Sequence, residues 1–227
     1  MQALFEQRLL QCEKHLDASD EEIKSKCIVF YDTETTGLDA RHKDQVVELG
    51  AVCPRTRKSF ERLVAIDPLQ FPLYTGEFTG ILPSMLKDAP PLAKVLTDFL
   101  QWIQAQCDEK SCKEVVLVAH NNHQFDMVLL ERHFRECKIS VSEVLRPRLT
   151  YADSLPALRH AVLAKVKSFA LGSLLGLADV KLHRALADCQ ALVIVLFDER
   201  FDVNKLWGHM YEKRKESSSS VSRIQRR

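Results

Sequence analysis

The sequence lacks a long apolar run and lacks an excess of charge of either sign. No stretch approaches the roughly 20 apolar residues that a membrane-spanning helix needs, so we expect no membrane association. The 32 lysines and arginines nearly cancel the 31 aspartates and glutamates. Net charge therefore predicts no long-range attraction to a polyanion, and any nucleic acid would have to be bound locally. The opening MQALFEQRLLQCEKHLD is too charged for a signal peptide.

The cysteines are few and scattered. There are seven, an odd number, and no two of them have the C-x-x-C spacing typical of a zinc site. Cys27 and Cys53 fall within apolar segments that we predict to be strands. We expect free thiols and therefore an intracellular, reducing location, either the cytoplasm or the nucleus.

The pattern of apolar residues predicts an α/β fold, because strand-like and helix-like segments alternate along the chain. The predicted strands are residues 27–31, 45–53, 58–66, 114–120 and 148–153. The predicted helices are residues 2–16, 92–107, 125–137, a short one at 171–176 and a long one within 183–200. Proline and glycine are concentrated in residues 67–91, which we predict to be a loop with at most short helical turns.

Acidic residues occur where packing alone gives no reason for them. Asp32 and Glu34 follow the apolar run 27–31, and on a continuing strand they would share one face. Asp126 follows another apolar strand and opens a helix, and Asp188 lies in the late helix, five residues after His183. Such a cluster would repel itself unless divalent cations bound it, and hard oxygen ligands suit Mg²⁺ or Mn²⁺.

Each of these residues, taken singly, also has an ordinary structural interpretation. Acids are common in turns, so Asp32 and Glu34 could simply follow a strand. Asp126 could be a helix cap, and Asp188 an exposed helical acid. Five residues turn an ideal helix by about 140°, so His183 could face Asp188 only from a position at or before the start of the helix.

Three segments taken together resemble the motifs of the DEDDh exonucleases, in the family's order. They are D-T-E-T-T-G-L-D (32–39), A-H-N-N-H-Q-F-D (119–126) and H-R-A-L-A-D (183–188), within a resemblance that covers about residues 27–198. The second motif has one residue more than the commonest form, a spacing similar to that of the animal three-prime repair exonucleases. A weaker likeness, through 151–159, is to the exonuclease-like C-terminal domain of the promyelocytic leukaemia protein.

The resemblance implies an RNase H-like mixed sheet with helices on both faces and a metal site at its edge. With the composition of the two ends, we predict an N-terminal helical appendage (1–24), the exonuclease domain (25–207) and a disordered basic, serine-rich tail (208–227). The resemblance also implies two Mg²⁺ ions, which Mn²⁺ could replace. Their ligands would be Asp32, Glu34, Asp126 and Asp188, and His183 would be the general base. All of these residues are present, whereas the leukaemia-protein domain looks to have lost catalytic acids.

The implied function is 3′→5′ removal of nucleoside 5′-monophosphates from single-stranded DNA ends. Thr35, Thr36, Gly37 and Leu38 would bind the terminal nucleotide, and Asn121 would support the site. Two alternatives stay open: an exoribonuclease acting on short RNA, and a catalytically inactive nucleic-acid-binding or scaffold module. Some relatives of this type dimerise through a sheet edge, so a homodimer is a further alternative, although the sequence identifies no such edge.

Overall fold

A computed structural model describes residues 2–19, 21–166, 168–176 and 183–208. Its centre is a five-stranded mixed sheet of order β3-β2-β1-β4-β5. Strand β1 pairs antiparallel with β2 and parallel with β4, so it occupies the middle of the sheet. The strands are β1 (Lys26–Thr35), β2 (Val46–Cys53), β3 (Lys58–Leu63), β4 (Glu114–Ala119) and β5 (Arg148–Asp153).

The five predicted strands are all present, with differences at their ends. Strand β1 runs four residues beyond the apolar segment and so includes both acids of the first motif. Strand β3 ends at Leu63 rather than at residue 66: the Val64 amide still donates to Val47 of β2, but the Ala65 amide donates to Pro90 instead. The apolar pattern identified the strands but not the hydrogen bonds that end them.

The predicted helices also form. The structure contains α1 (Gln2–Ala18), α2 (Glu21–Lys24), α3 (Leu73–Thr79), α4 (Pro83–Leu86), α5 (Leu92–Lys110), α6 (Asp126–Glu136), α7 (Val141–Val144), α8 (Ser154–Ala161), α9 (Leu171–Leu174) and α10 (Ala185–Leu196). Of these, α1, α5, α6, α9 and α10 correspond to the predicted helices. Within 67–91 the chain is more ordered than a loop, because α3 makes almost two turns before Gly80 ends it in the left-handed conformation.

Helices cover both faces of the sheet, as predicted. Alternate residues of β1 point to opposite faces: Ile28 and Phe30 pack with α1 and α10, whereas Val29 and Tyr31 pack with α5 and α6. The N-terminal helix shares this core, since its buried residues belong to the same cluster as Phe30. The predicted tail after residue 208 lies outside the described residues. All seven cysteines are free thiols, as predicted.

One close contact sets the position of α10. A Cβ atom on Gly50 would lie 2.4 Å from the carbonyl carbon of Ala185 and 2.4 Å from the amide nitrogen of Leu186. The backbone of the first turn of α10 therefore rests directly on β2, which only glycine permits. This contact brings α10 onto the strand beside β1.

We predict that Gly50→Ala lowers the free energy of unfolding by about 1–3 kcal/mol or more, because the added methyl group must push α10 off the sheet. Urea denaturation followed by circular dichroism measures this. Gly208→Ala is the matched control, since nothing lies within 4 Å of a Cβ atom placed there. Equal stability of the two variants would contradict the contact.

Candidate active site

The acids of the first motif lie inside the central strand, at its carboxyl end. Asp32 is paired with Gly50 and Glu34 with Glu48 across the β1–β2 ladder, and both acids face α10. A register shift follows between Glu34 and Thr35, which turns the chain out of the sheet. The site therefore lies at the edge of the sheet where the middle strand ends.

Asp126 reaches the same place from the opposite side of the sheet. It is the first residue of α6, is only 4% exposed, and follows the loop after β4. One of its oxygens, Oδ1, accepts a hydrogen bond of 2.7 Å from the Thr33 hydroxyl. Thr33 stands between Asp32 and Glu34, so this bond ties the second motif to the first.

The third motif begins just before α10, as the spacing required. Arg184 caps the helix, and His183 precedes it with a left-handed φ of 63°. The backbone amide of His183 donates to Asp188 Oδ2 at 2.9 Å. The left-handed turn and this bond return His183 toward Asp188, which helical spacing alone would not do.

Glu34, His183 and Asp188 come together. One possible ligand atom from each lies within 4.8 Å of the others, and no other such trio of acids, histidines or cysteines exists within the described residues. Asp32 lies two residues before Glu34 on the same face of β1, and Asp126 is bonded to the intervening Thr33, so both carboxylates lie beside the trio. All five sequence-predicted catalytic and metal-binding residues thus converge on one site.

Bringing these acids together in a buried site raises their pKa values. Burial, and then the neighbouring carboxylates, raise the pKa of Asp32 well above its usual value. The same two causes raise the pKa of Glu34 from 4.5 to about 8. Burial raises the pKa of Asp188 and that of Asp126 to about 6, although hydrogen bonds from His183 and Thr33 oppose it. The cluster resists carrying its full negative charge unaided.

These donors suit a divalent cation. Carboxylate oxygens of Glu34 on β1 and Asp188 on α10 meet at the site, with the carboxylates of Asp32 and Asp126 beside them, and carboxylate oxygens are the ligands that suit Mg²⁺ and Mn²⁺. A bound cation would offset the repulsion that raises the pKa values. The residues present therefore fit the metal that the motifs imply.

A cavity of about 300 Å³ opens beside the acids. Of the four residues predicted to bind the nucleotide, Thr35, Gly37 and Leu38 line it. Thr36 lies beneath the loop instead: it is 4% exposed and its hydroxyl bonds to Asp44. The Asp44 carboxylate also occupies the space beside Gly37 that a side chain there would need.

The opposite wall of the cavity comes from α3, which the sequence analysis had treated as loop. Tyr74 and Phe78 line it and are 51% and 62% exposed, facing Leu38, which is 90% exposed. The Phe78 ring meets the His183 ring edge-on at 6.1 Å. The available signal in the sequence was the spacing of Tyr74 and Phe78, two aromatic residues four apart in a segment that otherwise reads as loop.

Asn121, which was predicted to support the site, is exposed and has a left-handed φ of 62°. Its neighbour Asn122 instead makes the hydrogen bonds that connect the strands. Asn122 is fully buried and accepts a 2.5 Å hydrogen bond from the Tyr31 hydroxyl. Its amide donates to the Leu117 and Ala152 carbonyls. It therefore joins β1, β4 and β5 directly beneath the site.

A fifth carboxylate, that of Glu48, also went unrecognised. It is completely buried on β2 opposite Glu34, and its charge contributes to the raised pKa values of Glu34 and Asp188. The sequence signal was a single acid inside the apolar segment QVVELGAVC.

Comparison with known proteins decides the family. A family model described as "Exonuclease", of the RNase T type, matches residues 29–196. The chain belongs to this exonuclease family. Members of the family depend on divalent metal ions, in keeping with the acid cluster.

Curated relatives and solved structures agree with this membership. The chain is similar to the PolC-type DNA polymerase III of Caldanaerobacter subterraneus subsp. tengcongensis (32% identity, 76% of this chain) and to that of Bacillus subtilis (31%, 77%). It spans only 11% of the length of each of these relatives.

Among solved structures, an apo exonuclease I matches 86% of this chain and 47% of its own, with a TM-score of 0.64 and 14% identity. Escherichia coli exonuclease I in complex with a dA16 oligonucleotide matches 75% and 40%, with a TM-score of 0.55 and 16% identity. At these identities the similarity establishes the fold alone, and it confirms the predicted RNase H-like architecture. Nothing in the comparisons supports a homodimer. Within the described residues, no helix is long and apolar enough to cross a membrane.

We predict that the exonuclease domain in EDTA loses stability as the pH rises from about 5 to 8. The folded acids hold their protons more tightly than the unfolded ones, so the folded state binds more protons in this window and ionisation favours unfolding. The change should be a few kcal/mol, since one pKa unit corresponds to about 1.4 kcal/mol. Urea titrations across the pH range measure it.

Two variations check the cause of that pH dependence. Asp188→Asn should stabilise the protein at pH 8 in EDTA and flatten the dependence, because one repelling charge is gone. Mg²⁺ should stabilise the unmodified protein most at high pH. A stability that rises with pH between 5 and 8 in EDTA would contradict the mutual repulsion.

Proposed function

We propose that this chain is a metal-dependent 3′→5′ exonuclease that acts on single-stranded DNA ends and releases nucleoside 5′-monophosphates. The observation that carries the proposal is a juxtaposition. The trio Glu34, His183 and Asp188 lies at the mouth of the apolar cavity between Leu38 and Phe78. A nucleotide matches both parts of the site. Its base favours the apolar wall, and its phosphate favours cations bound by the acids.

The cavity suits the last nucleotide of a strand. Its volume of about 300 Å³ is at the small end of the range for ligand pockets. Tyr74 and Phe78 offer ring surfaces, and bases stack on aromatic side chains with little dependence on sequence. The Tyr74 hydroxyl donates to the Thr36 carbonyl at 2.8 Å, which holds α3 against the loop and keeps the two walls apart. A duplex end would have to separate before its terminal base entered.

The acids would hold the catalytic cations. Asp32, Glu34, Asp126 and Asp188 supply oxygen ligands, and bound divalent cations supply charge neutralisation and a lowered pKa of attacking water. The ordered bonds from Thr33 to Asp126 and from His183 to Asp188 keep two of these carboxylates in place. Mg²⁺ is our choice of ion, with Mn²⁺ as a substitute.

His183 would accept the proton of the attacking water. Its ring is exposed at the rim of the cavity, and an imidazole takes up and releases protons near neutral pH. Contact with the edge of Phe78 limits how the ring can turn. The same aromatic side chain thus contacts the proposed base and lines the wall that would receive the nucleotide.

An intracellular location, expected from the thiols, remains a prediction.

The decisive experiment uses one oligonucleotide labelled at either end. With Mg²⁺, the 3′ label should appear at once as a mononucleotide, while the 5′ label yields a ladder of shortening strands. EDTA should stop both. His183→Ala and Asp126→Asn should lower the rate by at least about 100-fold, because each removes a group needed for the chemistry. Glu143→Gln, an exposed acid on α7, is the control.

The alternatives give different results in the same assay. Faster loss of the 3′ label from a matched RNA strand would favour the exoribonuclease. Binding without cleavage of either strand would favour the inactive module. A ladder from the 3′ label would reverse the proposed direction.

We predict that Leu38→Ala raises the KM for single-stranded DNA about 5- to 50-fold while kcat falls much less. The change removes an apolar contact to the terminal base, and each buried carbon of such a side chain is worth about 0.8 kcal/mol. Phe78→Ala should raise KM similarly and also lower kcat, since Phe78 contacts His183. Leu69→Ala is the matched control, because Leu69 is 95% exposed and lies outside the cavity. Steady-state kinetics with unchanged KM for both cavity variants would remove this binding site.

A further inference from the structure

A buried carboxylate on β2 binds the residue that follows the proposed base. Both oxygens of Glu48 accept hydrogen bonds from Arg184: Nε lies 3.0 Å from Oε1 and 2.9 Å from Oε2. Glu48 Oε2 also accepts the backbone amide of Ala185 at 3.0 Å. Arg184 Nη2 also donates to Glu48 Oε1 at 2.5 Å, so four contacts connect one side chain of the sheet to the start of α10.

This ion pair is buried on the Glu48 side, unlike an ion pair on the protein surface. The Glu48 side chain is 0% exposed and that of Arg184 is 39% exposed. Two residues further along the same face of β2, Gly50 admits the backbone of Ala185 and Leu186. Strand β2 therefore provides both a charge and a gap that receive the first turn of α10.

Glu48 is not available as another metal ligand. Its two oxygens already accept from Arg184 and from the amide of Ala185, and the trio of close ligand atoms excludes it. Stability alone is also a poor explanation, because burying an ion pair often costs as much as its attraction returns. What such a pair does provide is a single defined position for the helix.

We infer that the Glu48–Arg184 pair positions His183 and Asp188 for the reaction, an inference that rests on the proposed function. His183 is joined directly to Arg184 and leaves it in a left-handed conformation, and its amide bonds to Asp188 one turn along the helix. If Arg184 shifted, His183 would shift with it. Glu48 and Arg184 are positioning residues, since they act through His183 and Asp188.

The test compares Glu48→Gln and Arg184→Met with Glu61→Gln. Gln keeps an acceptor for the Ala185 amide but loses the charge. Glu61 is the matched control, because it is exposed and approaches the same guanidinium only to 3.7 Å. Each variant is made with and without His183→Ala, and kcat, KM and hydrogen–deuterium exchange of residues 183–188 are measured.

Both pair variants should lower kcat about 10- to 100-fold, as expected when a reacting group is displaced by about 1 Å, while KM changes less than threefold. Amide exchange at the start of α10 should accelerate. In the His183→Ala background, Glu48→Gln should lower the rate further by less than threefold, because its effect passes mostly through His183. Glu61→Gln should change kcat less than twofold.

Several outcomes would overturn the inference. One is a Glu48→Gln protein with normal kcat; another is unchanged exchange at residues 183–188 in both pair variants. Full additivity with His183→Ala would show that the pair does not act through the histidine. If Glu48→Gln does not fold, Arg184→Lys, which keeps the charge but not the two-pronged contact, gives the same comparison. Exchange needs no substrate, so it tests the pair even if His183→Ala leaves the rate unchanged and the proposed base fails.

Discussion

The contact of the α10 backbone with β2 at Gly50 is the constraint on which the rest of the site depends. It holds Asp188 and the preceding His183 against Glu34, although the carboxylates there repel one another. The contact is between backbone atoms of the helix and of the strand. No flexible side chain lies between them that could move to relieve the repulsion. The fold consequently performs electrostatic work when it brings the acids together, and a divalent cation is the natural means of offsetting it.

The polar atoms around the cluster are arranged to limit that repulsion without abolishing it. Thr33 donates to Asp126, and the amide of His183 donates to Asp188, so each of these acids keeps one ordered partner. Burial raises the pKa of Asp32 well above its usual value, and the charges of Asp126, Asp188 and Glu34 add to the rise. An arrangement of this kind is poorly explained by packing, because apolar residues would fill the same space at lower cost. It is well explained by a ligand of opposite charge.

The two sides of the cavity constrain what can bind in it. One side carries the acid cluster and the other carries the exposed side chains of Leu38 and Phe78, so a molecule bound there must present both charge and an apolar face. Family membership and the fold agree with a nucleotide end. The chain spans only a small part of its polymerase relatives, however, so the substrate proposed here rests on the cavity and not on the activity of those larger proteins.

Much of this could be predicted from the sequence. Apolar periodicity identified the five strands and the long helices, because burial imposes it locally, and three ordered motifs identified Asp32, Glu34, Asp126, His183 and Asp188. The support for these residues was not predictable. Asn122 and Glu48 act through partners 30 or more residues away, and α3 became a cavity wall only by packing beside the first motif. The sequence by itself thus determined which ionisable residues the site contains, since the three motifs fix their types and their spacings. Tertiary structure alone decided what holds those groups in place, because hydrogen bonds and close contacts between distant segments leave no periodic trace in the chain.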